Sequence, residues 1–226
     1  MNGTTKPVLV FDLDGTIAGD YVNFRNTRNT KTIADIQINP RILNILRLAD
    51  AARTAGKIDG VFLLTNNSDI FYIFMVQYII GKMVSGSSRA EVNSGNGKNI
   101  KLYDFFDDVM SRNDSRRLFS ADGNPPKRLE DVRKMLEEIG KPTDNLAGRI
   151  YFFDDIPDHE IRRDILPAGG KYIHITPAYK EGVVDETNLD EITYILTPAV
   201  RTGGGKKKRK VGTSRTRKNL KSKYRK

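Results

Sequence analysis

Three short stretches of this chain place oxygen-bearing side chains directly after large apolar residues: "FDLDGT" at 11–16, "FLLTNN" at 62–67 and "FFDD" at 152–155. Apolar runs that end in acid read as buried strands whose last residues reach the sheet edge. Carboxylates that converge there from separate strands repel one another, so their pKa values rise or a cation sits among them. The side chains on offer are all oxygen donors, which suits a hard ion such as Mg2+. An aspartate beside such an ion can attack phosphorus and split one hard displacement into two. Asp12 has that position. Asp14 lies two residues on, past a turn that Gly15 permits, where it could protonate the leaving group and then deprotonate water. Thr65 offers a hydroxyl to a phosphate oxygen, with Asn66 beside it. Lys127 offers a fixed positive charge at a predicted helix start.

These residues need a scaffold, and the pattern supplies one. Strands are predicted within 7–14, 59–67, 103–113, 149–155 and 171–176. A helix is predicted over 39–56, with Asn39 as cap, Pro40 in the first turn and Gly56 as stop. The apolar run 70–80 reads as a buried helix capped by Ser68, its Phe71, Tyr72, Phe74 and Tyr78 as core. Further helices are predicted over 124–140, with Pro126 near the start and Gly140 as stop, and over 187–196. Strands alternating with helices predict an α/β fold: a Rossmann-like three-layer sandwich with a mostly parallel sheet. Such sheets bind ligands outside the carboxyl ends of their strands, where each cluster falls. Asp158 is expected to cap a helix or support the site from behind. His159 and His174 have no partner at metal-ligand spacing and are expected in ordinary surface or core roles.

Composition narrows the class. The chain has 226 residues, 38% hydrophobic and 29% charged, enough for one domain with a real core. Without cysteine, disulfides and thiolate zinc sites are excluded. The start lacks signal-peptide character, and the longest apolar run is too short to span a membrane, so an intracellular protein without a membrane partner is expected. The net charge of +10 is not spread evenly. Residues 201–226 hold 13 Lys or Arg and no acid, which leaves the first 200 residues with 25 basic and 28 acidic groups. The expected organisation is a domain over 1–199 and a disordered basic tail over 200–226 behind a glycine linker. "KKKRKV" at 206–211 reads as a nuclear localisation signal, although any basic run of this size attracts polyanions. Nucleic acid or an import receptor is the expected partner of 201–226, and the nucleus the expected site in a eukaryotic cell or for its virus, the cytoplasm otherwise.

Taken together, the motifs resemble those of the haloacid dehalogenase (HAD) superfamily, whose phosphatases carry a DxDxT first motif. "DLDGT" matches it in full. The resemblance implies that Asp12 is the nucleophile, Asp14 the acid/base, and Asp12, the Asp14 carbonyl, Asp154 and Asp155 the holders of Mg2+. It makes Thr65 and Asn66 the phosphate-binding second motif and Lys127 the third-motif lysine, with Lys134 and Lys101 as alternatives. The motifs stand in family order over residues 8–158. The gaps between them leave no room for a large cap domain, so the capless members are the nearest likeness, and they act on macromolecular phosphoesters. Two capless groups share features with the chain. Phosphatases of the RNA polymerase C-terminal domain have an acid-plus-Pro pattern like "DDIP" but usually carry Glu where this chain has Gly15. Polynucleotide 3′-phosphatases use a "DLDGT"-like start. The expected substrate is a phosphoprotein, a nucleic-acid end or a nucleotide. The opposing expectation is a HAD-fold binding protein of little or no activity that works through its tail.

Overall fold

The computed structural model describes residues 5–19, 36–85, 105–117, 125–180 and 186–197. The excursion at 20–35, the loop at 86–104, the boundary near 199 and the tail lie outside the described residues. Five strands form one sheet: β1 (Val8–Phe11), β2 (Gly60–Leu64), β3 (Asp108–Met110), β4 (Ile150–Asp154) and β5 (Lys171–His174). Every pairing is parallel and the order is β3-β2-β1-β4-β5. Helices α1 (Pro40–Thr54), α2 (Ile70–Ser85), α3 (Leu129–Glu138), α4 (Glu160–Ile165) and α5 (Asp190–Leu196) connect and flank the strands. The expected α/β class and three-layer arrangement are what the chain adopts.

Strand alternation builds the two faces. Leu9, Phe11, Val61, Leu63 and Phe153 pack on one side with residues of α1, α2 and α5. Val8, Val10, Phe62, Leu64 and Phe152 pack on the other with residues of α3 and α4. Both faces of the central strands are covered, which is why those strands read as unbroken apolar runs. Successive strands run outward from β1 to β3 on one side, and the chain then crosses back to add β4 and β5 on the other. The sheet therefore reverses its winding between β1 and β4, and a crevice opens at the carboxyl ends there. Phe11 and Phe153 stack with ring centroids 4.3 Å apart and hold these two strand ends level. Burying each ring contributes roughly 1.5–3 kcal/mol. The Asp12 N–H then donates to the Phe153 carbonyl at 2.8 Å, so Asp12 and Asp154 leave the sheet side by side.

Several element ends differ from expectation. α3 starts at Leu129, so Pro126 and Lys127 precede it in irregular chain. Asp131 accepts the Arg128 N–H at 3.0 Å, and this bond sets the start that proline was expected to set. The cap of α2 is Asp69, whose Oδ1 accepts from the N–H groups of Phe71 and Tyr72 at 3.1 Å, and not Ser68. The α2 run is only partly buried. Tyr72 is core, but Ile70 and Phe71 in the first turn are exposed. Asp158 caps nothing; it is exposed and pairs with Arg163. No helix among the described residues is long and apolar enough to cross a membrane.

Candidate active site

The acids at the winding reversal have a counter-charge of their own. Lys127 is 1% exposed, and its Nζ lies 2.6 Å from Asp12 Oδ1 and 2.5 Å from Asp154 Oδ2. A solvated first-turn lysine is thereby ruled out. The segment that carries Lys127 is held by the bond from the Ile161 N–H to the Lys127 carbonyl, 3.1 Å. Of the two alternative lysines, Lys134 donates to the Arg116 carbonyl at 2.5 Å, and Lys101 lies outside the described residues. Burial works against the Lys127 charge, but Asp12 and Asp154 outweigh it and hold its pKa above the usual range. Burial likewise opposes the Asp154 carboxylate, and Lys127 overcomes this and holds Asp154 below the usual range. Asp12 goes the other way, because burial dominates there and Asp154 adds repulsion.

One ammonium cannot neutralise four carboxylates. Asp155 is pushed up to about 6 by burial and by the charges of Asp12 and Asp154. Oxygens of Asp12, Asp154 and Asp155 lie within 4.8 Å of one another, a set that could hold a metal ion. The donors are all carboxylate, and negative charge remains in excess after Lys127 is counted, so the residues present fit a hard divalent cation.

Asp14 stands at the mouth of the same crevice. Leu13 begins a tight turn in which the Ile17 and Ala18 N–H groups both donate to its carbonyl at 3.0 Å. Gly15 closes the turn at φ +75°, a conformation that glycine adopts without strain. A Cβ on Gly15 would lie 2.4 Å from Asp155 Oδ2, so a side chain here would drive Asp155 out of place. Asn67 Oδ1 accepts the Asp69 N–H at 2.8 Å, which leaves the amide nitrogen to face Asp14. That nitrogen donates to the two Asp14 oxygens at 3.2 and 3.0 Å. Burial, then repulsion from Asp12, pushes Asp14 up to about 7 despite this bond. A carboxyl with that value is half protonated near neutrality and can act as an acid or a base.

A cleft of about 320 Å3 opens over these groups, with Asp12, Asp14, Asn67, Arg112, Lys127 and Asp155 in its wall. Thr65 is fully buried, next to Asn66 of the cleft wall, its hydroxyl accepting the Asn67 N–H at 3.0 Å. Asn66 reaches the cleft as well, but its Oδ1 accepts from Arg117 at 2.8 Å. Asp12, Asp14, Asn66, Lys127 and Asp155 thus line one cleft, with Asp154 bound to Lys127 and Thr65 bonded to Asn67. Sequence reasoning missed Asn67, Arg112, Arg117 and His159. Period-2 alternation continued past β2 could have found Asn67, which shares a side with Thr65. His159, expected in an ordinary role, places Nε2 3.4 Å from Asp154 Oδ2. Its position four residues after Asp155 gives no signal of that contact.

Fold and site together define an α/β protein with a doubly wound parallel sheet and a lysine-bridged acidic centre at its winding reversal. No protein-family model matches the sequence, and no curated protein matches it. Two solved structures of a HAD family enzyme from Bacteroides thetaiotaomicron, each in complex with magnesium and inorganic phosphate, are similar to it in course. The wild-type form is 15% identical, covers 78% of this chain and 98% of its own, and has a TM-score of 0.37. An aspartate-to-alanine form is 12% identical, covers 78% and 97%, and has the same TM-score.

Proposed function

We propose that the protein is a Mg2+-dependent phosphomonoester hydrolase of the HAD type that works through an aspartyl-phosphate on Asp12. The observation that carries this reading is the buried Lys127 bridge between Asp12 and Asp154, with Asp14 beside it at a pKa of about 7. Asp12, the Asp14 carbonyl, Asp154 and Asp155 would hold the ion. When bound, Mg2+ would neutralise charge on the phosphoryl oxygens and bring the phosphate against the carboxylates.

The residues divide the work as follows. An Asp12 carboxylate oxygen attacks phosphorus, and the bond from phosphorus to the ester oxygen breaks. Protonated Asp14 gives its proton to the departing oxygen. Asp14, now ionised, takes a proton from water as that water attacks phosphorus. The bond to Asp12 breaks, inorganic phosphate leaves, and both aspartates return to their starting states. Lys127 favours the ionised form of Asp12 against the effect of burial and orients it between turnovers. Thr65 and the turn after it hold the phosphoryl oxygens.

We assign a macromolecular substrate, a nucleic-acid end ahead of a phosphoprotein. The two segments where a cap would be inserted, 20–35 and 86–104, are each shorter than twenty residues. The 13 basic residues at 201–226 favour a polyanion as partner, in the nucleus where the host has one. The test is hydrolysis of p-nitrophenyl phosphate, then of 3′- and 5′-phosphorylated oligonucleotides and phosphopeptides. Turnover should require Mg2+ and vanish in Asp12→Asn, and undiminished turnover in EDTA would rule the mechanism out. Truncation after Ala199 should spare the small substrate and remove salt-sensitive retention of DNA or RNA. If retention survives truncation, the tail is not the polyanion site.

A further inference from the structure

Arg117 is buried at 3% exposure in a position that the reaction above does not use. Its Nη1 donates to the Thr65 carbonyl at 3.0 Å and to Asn66 Oδ1 at 2.8 Å. Its Nη2 donates to the Pro125 carbonyl at 3.0 Å and to the Pro126 carbonyl at 3.2 Å. Nε faces Asp131 Oδ2 at 3.8 Å, too far for a hydrogen bond but close enough for attraction between charges. One guanidinium thus joins two pieces of chain that are remote in sequence. The first is the turn after β2, with Thr65, Asn66 and Asn67. The second is the segment that ends in Lys127. Neither lies in a helix or strand. Backbone bonds tie the first to the chain after β3, from the Thr65 N–H to the Met110 carbonyl at 3.0 Å and from the Arg112 N–H to the Asn67 carbonyl at 3.2 Å, and the second to α4 through the Ile161 N–H, but none of these joins one segment to the other.

We propose that Arg117 is a positioning residue that locks the phosphate-holding turn to the lysine segment, so that Lys127 and Thr65 meet one phosphoryl group in fixed register. The assignment rests on the phosphatase reading for its purpose and on the geometry for its existence. All four hydrogen bonds end on protein oxygens on the two segments, and two prolines make the second segment stiff where it is gripped. Asp131 adds a third tie, because the carboxylate that faces Arg117 also accepts the Arg128 N–H at the start of α3. A planar fork can serve acceptors on two sides at once. A lysine brings its three donors to one point and cannot span both segments.

The experiment compares Arg117→Lys, Arg117→Met and Arg117→Ala with wild type, below their melting temperatures. Displacing a reacting group by about 1 Å costs about 100-fold in rate, so kcat on p-nitrophenyl phosphate should fall by about that factor in all three. KM should change much less. Millimolar guanidinium should restore much of kcat in Arg117→Ala and nothing in Asp12→Asn. Hydrogen exchange should quicken together in peptides covering 62–69 and 127–132, while β1 and β4 keep their protection. Arg117→Lys retains a buried cation, so it reads the same coupling if the other variants fail to fold. Exchange that quickens in one segment alone, or a kcat within about twofold of wild type in Arg117→Met, overturns the proposal. Paired loss of protection in a protein whose wild type hydrolyses no phosphoester would keep the lock, overturn its catalytic purpose and refute the phosphatase reading separately.

Discussion

Lys127 is the residue on which the site turns, because two buried carboxylates share its single charge. Removing one partner of a buried ion cluster costs about 3–5 kcal/mol, since the charges left behind have neither water nor a counter-ion. Lys127→Met should therefore lose that order of stability without metal at pH 7.5, and less at pH 5, because burial holds the Asp12 pKa above the usual range and favours its neutral form as pH falls. Urea unfolding in EDTA at the two pH values measures the difference; an equal loss at both would mean that the carboxylates are not what the lysine stabilises. Asp155 is the contrary case, held among like charges and pressed against Gly15. Asp155→Ala should raise the Mg2+ concentration for half-maximal activity at least about tenfold, as loss of a metal-supporting group does. It should also raise the melting temperature slightly in EDTA, because a repulsion is gone. An unchanged Mg2+ requirement removes Asp155 from the metal site.

At the scale of elements, the start of α1 serves the site as well as the helix. Asn39 Oδ1 accepts from the Arg41 N–H at 3.0 Å and the Ile42 N–H at 3.4 Å. Its amide nitrogen donates to the Thr16 carbonyl at 3.2 Å, which pins the turn carrying Asp14 and Gly15. A cap alone contributes about 1 kcal/mol. Asn39 is fully buried, and Asn39→Ala also strands the Thr16 carbonyl, so its loss should be about 2–3 kcal/mol. Asn39→Asp keeps the acceptor and loses the donor. It should retain the helix yet lower kcat, because the turn that orients Asp14 is released. Denaturation midpoints with steady-state kinetics on the two variants check this; equal kcat in Asn39→Asp and wild type would confine Asn39 to the helix.

Across the whole molecule the acidic centre sets an unusual pH dependence. The folded-state values of Asp14, about 7, and Asp155, about 6, stand above the ordinary carboxylate range. The folded chain therefore binds more protons than the unfolded one between about pH 4 and 7. Their contribution is greatest below about pH 4 and is lost as pH rises through 6 and 7, opposite to the usual course of acid denaturation. In EDTA the midpoint of urea unfolding should fall between pH 5 and 8. Saturating Mg2+ should flatten the fall, because a cation among the carboxylates replaces the protons. A metal-free midpoint that rises over this range would contradict the raised values.

Much of this was legible in the order of residues alone. Apolar runs of strand length alternating with amphipathic helices specify the parallel α/β sheet, since only a strand covered on both faces can be apolar throughout. Acids at the ends of those runs mark the sheet edge, and "DLDGT" with "FFDD" named Asp12, Asp14, Asp154 and Asp155. Local chemistry gave the Asn39 cap for the same reason: its partners are two and three residues away. Only the tertiary structure decided that β4 lies against β1, and so that the acids meet at all. It also set Lys127 between Asp12 and Asp154 and Lys134 on the Arg116 carbonyl, turned Asn67 toward Asp14, brought His159 to Asp154 and drew Arg117 between two loops. All but the His159 contact depend on a charge or carbonyl far away in sequence, and the cost of burying a polar group without a partner selects among residues that a local pattern treats alike.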